Sequence, residues 1–276
     1  MAEGSGRWTS SIREVAITLK DVKTMDWKIR LAAIRWLQVM VQSPEGQSLI
    51  MKSLVKLCRP LQAQVRDLRS VIAREACSTL TLFAEALGNR FSRVAPILTK
   101  TLLLVTGSGN KVIGGYCAKS AFDIVRNTES PKSIAALVTL TESKSSKVRD
   151  NATTCLSILL EHWNPSTWLD EADTIGAGIK ESIEDNSKQT RDTARRAFHF
   201  FQIHAPEAAE ELKSSLGERA LSRLQYGTVT RRGRAAGSTA GKGARGSMNQ
   251  STNLAKAGQQ LFQKATSSST PRRKRK

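Results

Sequence analysis

The sequence predicts an all-α protein, an α-solenoid of about six paired-helix repeats followed by a basic tail too poor in apolar residues to build a core. Three observations carry that expectation. A short residue pattern returns at steps near forty residues. The segments around it place apolar residues at the 3.6-residue helical period, on two stripes rather than one. Sheet signals are scarce, with two Tyr, seven Phe and no Asn-Gly turn pair in the chain.

The pattern is an Arg, or a substitute for it, with a small residue three positions on. It occurs as Arg30 with Ala33, Arg74 with Cys77, Gly114 with Cys117, Arg149 with Ala152, and Arg191 with Ala194. The steps are 44, 40, 35 and 42 residues, the period of HEAT or armadillo repeats, and two helices per unit favour the HEAT form. Unit boundaries are expected near 8–43, 44–88, 89–128, 129–163, 164–205 and 206–226. The second helix of each unit is expected to begin at the Arg motif.

The elements follow in order. In the first unit Ile34, Leu37 and Val41 make one stripe and Ile29, Ala33, Trp36 and Met40 a second, so this helix must be packed on two sides. Ser43-Pro44-Glu45 reads as a cap followed by a first-position proline, and Ser130-Pro131 reads the same way for the fourth unit. Leu80, Phe83 and Leu87 form the second unit's stripe, stopped by Gly88-Asn89. The sixth unit is abbreviated, with Leu212, Leu216, Leu221 and Leu224 as its apolar positions, as a terminal cap is expected to be. Trp36, Trp163 and Trp168 are expected to pack.

Charge divides the chain. The formal net charge is +19, and residues 227–276 hold twelve Lys/Arg with no Asp or Glu. That segment is expected to be disordered, and residues 1–7 a flexible N-terminus. Within it Asn253–Lys264, with Leu254, Ala257, Leu261 and Phe262, reads as a short helix formed on a partner. Two clusters, Arg231, Arg232 and Arg234, then Arg272, Arg273, Lys274, Arg275 and Lys276, suit any polyanion: acidic protein tails, nucleic acid or an anionic membrane. The last also reads as a nuclear-import signal.

Several classes are excluded. The N-terminus has no apolar h-region, and the longest apolar stretch, Thr101 to Thr106, falls far short of a membrane span. Cysteines 58, 77, 117 and 155 fit neither a zinc site nor a disulfide scaffold, and read as small buried hydrophobes in a reducing compartment. His162, His199 and His204 have no ligand partners at metal spacing. Gly107-Ser-Gly-Asn-Lys111 lacks the phosphate-loop spacing, and Gly241–Gly246 follows no strand. No enzyme, cofactor or metal is expected.

In a HEAT array the turns inside successive repeats line up on one edge. Here they are expected at 24–28, 66–71, 107–112, 143–147 and 185–189, and each carries a basic residue: Lys28, Arg66 and Arg69, Lys111, Lys144 and Lys147, and Lys188. At about 10 Å per repeat they would draw a basic strip about 40 Å long. Trp27 stands in the first turn, where it is either an exposed anchor of the hot-spot kind or folds back on Ile12 or Val15 as end-capping core.

At these residues a resemblance enters. Asp26-Trp27-Lys-Ile-Arg30, Val65-Arg-Asp-Leu-Arg-Ser70-Val-Ile-Ala-Arg74-Glu-Ala-Cys77 and Leu87-Gly-Asn89 resemble a TOG domain of the CLASP (cytoplasmic linker-associated protein) family. The similarity continues through Lys144–Arg149, Glu161-His-Trp163, Ala205–Ala209 and Ser214–Leu216, covering about 8–226. It implies a non-catalytic module that binds the tubulin heterodimer through its intra-repeat turns and regulates microtubule dynamics or stability. Matched by position, the contacts would be Trp27, Arg69, Lys111, Lys147 and Lys188, with Lys28 and Arg66 beside them and the basic tail adding affinity for the acidic tails of the microtubule lattice. The implied location is the cytoplasm and cytoskeleton, at spindle or cilium, with the nucleus open through the last basic cluster. A HEAT scaffold for nucleic acid or chromatin, and a transport-type adaptor, are the other readings. The nucleic-acid reading gives Trp27 and the Arg-Asp-Leu-Arg-Ser turn no reason to exist, and transport-type solenoids are usually longer.

Overall fold

The computed structural model describes residues 11–224, and among them there is helix and turn but no strand. Five complete helix pairs run in order: α1 (Ile12–Lys20) with α2 (Trp27–Met40), α3 (Pro44–Val65) with α4 (Ser70–Leu87), α5 (Ala95–Thr106) with α6 (Lys111–Asn127), α7 (Ile134–Thr141) with α8 (Ser146–His162), and α9 (Ala172–Glu184) with α10 (Lys188–His204). A sixth pair is α11 (Pro206–Ser214) and a helical stretch at 218–224. First helices stack on first helices and second on second, giving the two layers of a HEAT solenoid.

One apolar core runs between the layers. Ile34, Leu37 and Val41 are sealed in it, as are Leu80, Phe83 and Leu87, while Trp36 and Met40 of the other expected stripe pack against its border. Trp168 is fully buried and stacks on Phe201, and the indole of Trp163 donates to the Val125 carbonyl at 2.6 Å. All four cysteines are free and buried, with the Cys77 and Cys117 sulfurs 3.7 Å apart. Among the described helices none is long and apolar enough to cross a membrane.

Local chemistry sets the helix ends. Ser43 caps α3, its hydroxyl accepting from the Gly46 amide at 3.1 Å, with Pro44 at the first position. Gly88 ends α4 at φ +53°, a conformation a side chain would strain. Ser130 departs from its expected role. Its hydroxyl donates to the Ser92 carbonyl of the preceding repeat at 3.2 Å, and Pro131 opens a single 3-10 turn ahead of α7. Such bonds knit the edge where one repeat passes to the next. Thr128 reaches the Gly88 carbonyl at 3.3 Å, and the Glu129 amide donates to Asn89 at 2.8 Å.

The Arg motif also needs correcting. Each second helix begins three or four residues ahead of it, because the caps lie further back: Asp26 accepts from the Lys28 amide at 2.9 Å, Asn110 from Val112 and Ile113 at 3.1 Å each, and Ser187 from Thr190 at 3.3 Å. The motif therefore sits one turn inside the helix, which decides where its arginines point. The N-terminal segment 1–7, the tail 227–276 with its clusters Arg231, Arg232, Arg234 and Arg272 to Lys276, and the helix expected at 253–264 lie outside the described residues.

Candidate functional site

The segments joining paired helices lie at 21–26, 66–69, 107–110, 142–145 and 185–187, the last four shorter than expected and the first set earlier in the chain. Because the caps start the second helices early, Trp27, Lys28, Lys111, Lys147 and Lys188 belong to the first turns of those helices rather than to the loops. A residue in a first helical turn has a set backbone and a restricted direction, so these side chains are presented by rigid elements.

The loops are braced from within. Arg30 is 1% exposed and donates through Nη1 to Asp67 of the next turn at 2.7 Å and to Gln64 at 2.5 Å. Gln64 passes its own amide to the Leu19 carbonyl at 2.5 Å, closing a buried link between the first two turns. Asp67 also takes the Arg69 amide at 2.8 Å, which fixes the loop that carries Arg69. The pair is sealed from water and fully hydrogen-bonded on the carboxylate side, the condition under which a buried ion pair holds a loop in one arrangement.

The fourth and fifth turns repeat the device. Arg149 donates through Nε to Asp185 at 2.6 Å and through Nη1 to the Ser143 carbonyl at 2.8 Å, so one guanidinium ties its own turn to the next. Arg191 donates to the Asp185 and Asn186 carbonyls at 2.8 Å each. Burial alone would raise the Asp185 carboxyl, but hydrogen bonds from Arg149 and the Ser187 amide outweigh it and hold the group below the usual carboxylate range. Its partner Arg149 is shifted up by the same hydrogen bond. In the first turn Asp21 is held low by the Thr24 hydroxyl and amide.

Outside this bracing stand the candidate contacts. Trp27 is half-buried, one side on the core and the other open, with the Lys28 ammonium 6.0 Å from its ring centroid. Arg66 is exposed. The Arg69 guanidinium is 56% exposed and 3.7 Å from Asp67. Lys111, Lys144, Lys147 and Lys188 are exposed, and no carboxylate pairs with them among the described residues. Direct contact joins the first turn to the second and the fourth to the fifth, and the third turn lies close against the fourth, where a Cβ on Gly107 would meet Ser145 and Val148 at 3.0 Å. Between the second and third turns the link is helix packing, with Gln62 bonded to Thr101 at 2.6 Å.

Two apolar residues on this edge escape a reading based on charge. Leu68 is 92% exposed at the tip of the second turn, and Val112 is 56% exposed beside Lys111. Leu68 lies off every helical stripe, inside a polar turn, and that mismatch is the signal available from sequence.

A comparison with known sequences decides the family: the sequence model of the CLASP N-terminal domain matches residues 9–225. The chain belongs to the CLASP N-terminal family. It is 26% identical over 207 residues to CLIP-associating protein 1 of Xenopus tropicalis, which covers 75% of this chain and 14% of that protein. It is 28% identical over 194 residues to CLASP-2 of Caenorhabditis briggsae, covering 69% and 24% respectively. The chain thus spans under a quarter of the length of either CLASP relative. Among solved structures, a TOG domain of C. elegans Zyg9 superposes with a TM-score of 0.60 at 12% identity, covering 80% of this chain and 82% of that one. A chain from a structure concerned with TOG–tubulin binding specificity superposes at 0.59 with 15% identity, covering 79% and 82%. At such identities the likeness establishes the TOG fold for this CLASP-family chain.

Proposed function

We propose that this chain is a non-catalytic protein that binds the tubulin heterodimer through the edge built from its intra-repeat turns, regulates microtubule dynamics or stability, and uses residues 227–276 for added affinity to the microtubule lattice. The observation that carries the reading is the division of labour on that edge. Arg30, Arg149 and Arg191 of the repeated motif are spent inward, bracing loops, while Trp27, Lys28, Arg66, Arg69, Lys111, Lys147 and Lys188 are left facing out from rigid first turns and braced loops. A half-open tryptophan followed by a row of cations suits an acidic protein surface: the ring supplies an anchor and the cations supply orientation. Leu68 adds an apolar contact at the second turn. CLASP membership and a fold shared with domains studied for tubulin binding support the same partner. A nucleic-acid scaffold and a nuclear role for the last basic cluster have no support among these relatives.

Body and tail divide the work. The tail's twelve cations act by screened attraction to acidic tubulin tails, whereas the edge needs a matching surface. Trp27→Ala should weaken binding to free tubulin by roughly thirtyfold, the loss expected of a truncated aromatic anchor. Reversing Lys111 and Lys147 to Glu should abolish free-tubulin binding while leaving a salt-sensitive association with microtubules. Deleting 227–276 should do the opposite. Salt titrations of these proteins on both forms of tubulin test the scheme, and identical profiles for the double reversal and the deletion would overturn it.

A further inference from the structure

The layer of first helices carries a charge pattern that the turn edge does not use. Its outward positions recur at the helical period, and helices α1, α3 and α5 together hold six Lys/Arg against Glu14 and Glu45. Helix α7 holds no charged residue. Helices α9 and α11 invert the balance, with six Asp/Glu against Lys180 and Lys213. Those two lysines are engaged within the chain: Lys180 donates to the Ser215 carbonyl at 3.0 Å and Lys213 pairs with Glu210 at 2.6 Å. At the other end Lys52, Lys56 and Arg59 run along the exposed side of α3 and meet no carboxylate among the described residues.

The basic half is also apolar. Ile17 is 60% exposed, Val55 52%, Ile97 53% and Leu104 44%, all on α1, α3 and α5. Exposed apolar side chains gathered on one face and rimmed by charge mark an interaction surface. The order of first helices is α1, α3, α5, α7, α9, α11, so the face is basic and apolar at one end, neutral in the middle and acidic at the other. A face of that kind complements itself when a second copy is laid against it in the reversed direction.

We propose that two copies of this chain pair back to back through their first-helix layers, reversed, about a two-fold axis lying between α5 and α7. That axis sets α3 of one copy across α9 of the other, so Lys52, Lys56 and Arg59 meet Asp173, Glu181 and Glu184, and it sets α1 across α11. A two-fold arrangement uses every complementary pair twice and closes, as the commonest homodimers do. At the centre α7 exposes only the short side chains of Ala135 and Thr139, which let the layers approach. Six helices at about 10 Å spacing make a face about 50 Å long. Multiplied by a helix length of about 15 Å, that gives about 750 Å², within the range around the roughly 800 Å² per partner of a standard interface. The turn edge borders this layer and stays open in both copies.

The test is a charge swap on the full chain, read by sedimentation over a range of concentration and salt. The wild-type chain should form a dimer that dissociates as salt rises. K52E/K56E/R59E and, separately, D173K/E181K/E184K should each weaken the dimer by at least roughly a hundredfold, because like charges then face each other. An equimolar mixture of the two should dimerise again, since each altered end now meets its complement. The milder K52A/K56A/R59A should give a smaller loss, and circular-dichroism melting verifies that each variant is folded. A wild-type chain that stays monomeric at low salt overturns the proposal, as does a mixture of folded variants that fails to recombine. Assemblies that grow without limit overturn the two-fold arrangement.

Discussion

Two stretches of the turn edge hold their loops in different ways. At the ends, a buried or half-buried arginine reaches across to the next repeat: Arg30 to Asp67 at 2.7 Å, and Arg149 to Asp185 at 2.6 Å. In the middle no arginine reaches across, and the loop 107–110 is held by its own residues and by the close fit of Gly107 on Ser145 and Val148. Gly109 takes φ +88°, Asn110 caps two amides, and Gly114 stands where the other repeats have arginine. A Cβ there would make ordinary contact, 3.5 Å from the Thr106 backbone, so the position has room for a side chain and what the third repeat lacks is the arginine itself. Arg74 of the second repeat pairs with its neighbour Glu75 at 3.1 Å and ties nothing to the third turn. One motif position thus does two jobs, clamping neighbours at the ends and leaving the central loop to local geometry and the fit of Gly107 on the fourth repeat.

Breaking the first clamp should cost the most. Asp67→Ala leaves Arg30 buried with its charge uncompensated and should destabilise the fold by about 3–5 kcal/mol, read as a lowered midpoint in urea. Asp185→Asn should cost about 2 kcal/mol, since it removes charge-assisted bonds from a partner that keeps some access to water. This second effect depends on pH. The Asp185 carboxyl is lowered in the folded state, so its contribution is complete above the ordinary aspartate range of about 4 and is lost as pH falls through its own lower value. Wild type and Asp185→Asn should differ fully at neutral pH and converge in acid, measured as thermal midpoints across that range. The central loop should be the least sensitive. Gly109→Ala meets no atom within 4 Å, so its cost is backbone strain alone, about 1–2 kcal/mol, and no turn beyond the fourth, which Gly107 touches, should respond in amide exchange. A wider response would show that the middle is coupled beyond that one contact.

Much of this arrangement is legible in the sequence because it is local. The forty-residue period, the doubled stripe around Ile34 and Leu37, the Ser43-Pro44 cap and the Gly88 stop each depend on a few adjacent residues, and the α-solenoid they predict is the one observed. The job of the arginines is not legible in the same way. Arg30 and Asp67 are 37 residues apart, and their meeting depends on the register in which one repeat stacks on the next. Ser130 misleads for the same reason: its local grammar is that of a cap, but the Ser92 carbonyl 38 residues earlier claims its hydroxyl. Trp27 shows the limit of burial arguments from sequence, since the sequence reads it as an anchor or a packing residue and its ring has one side on the core and one in the open.

The cross-repeat clamps bear on how such an array can change in length. In solenoids built from near-identical units, a repeat can be duplicated or lost because every junction is chemically the same. Here successive junctions differ: an arginine with an aspartate at the first and the fourth, helix packing at the second, and a glycine against a serine and a valine at the third. Deleting the second repeat would bring Arg30 against a loop of glycine, serine and asparagine with no carboxylate to receive it. Duplicating the third would insert a turn whose only fit is to Ser145 and Val148. The number of repeats is therefore held by the mismatch between junctions, and the spacing of everything the edge displays is inherited as a single unit.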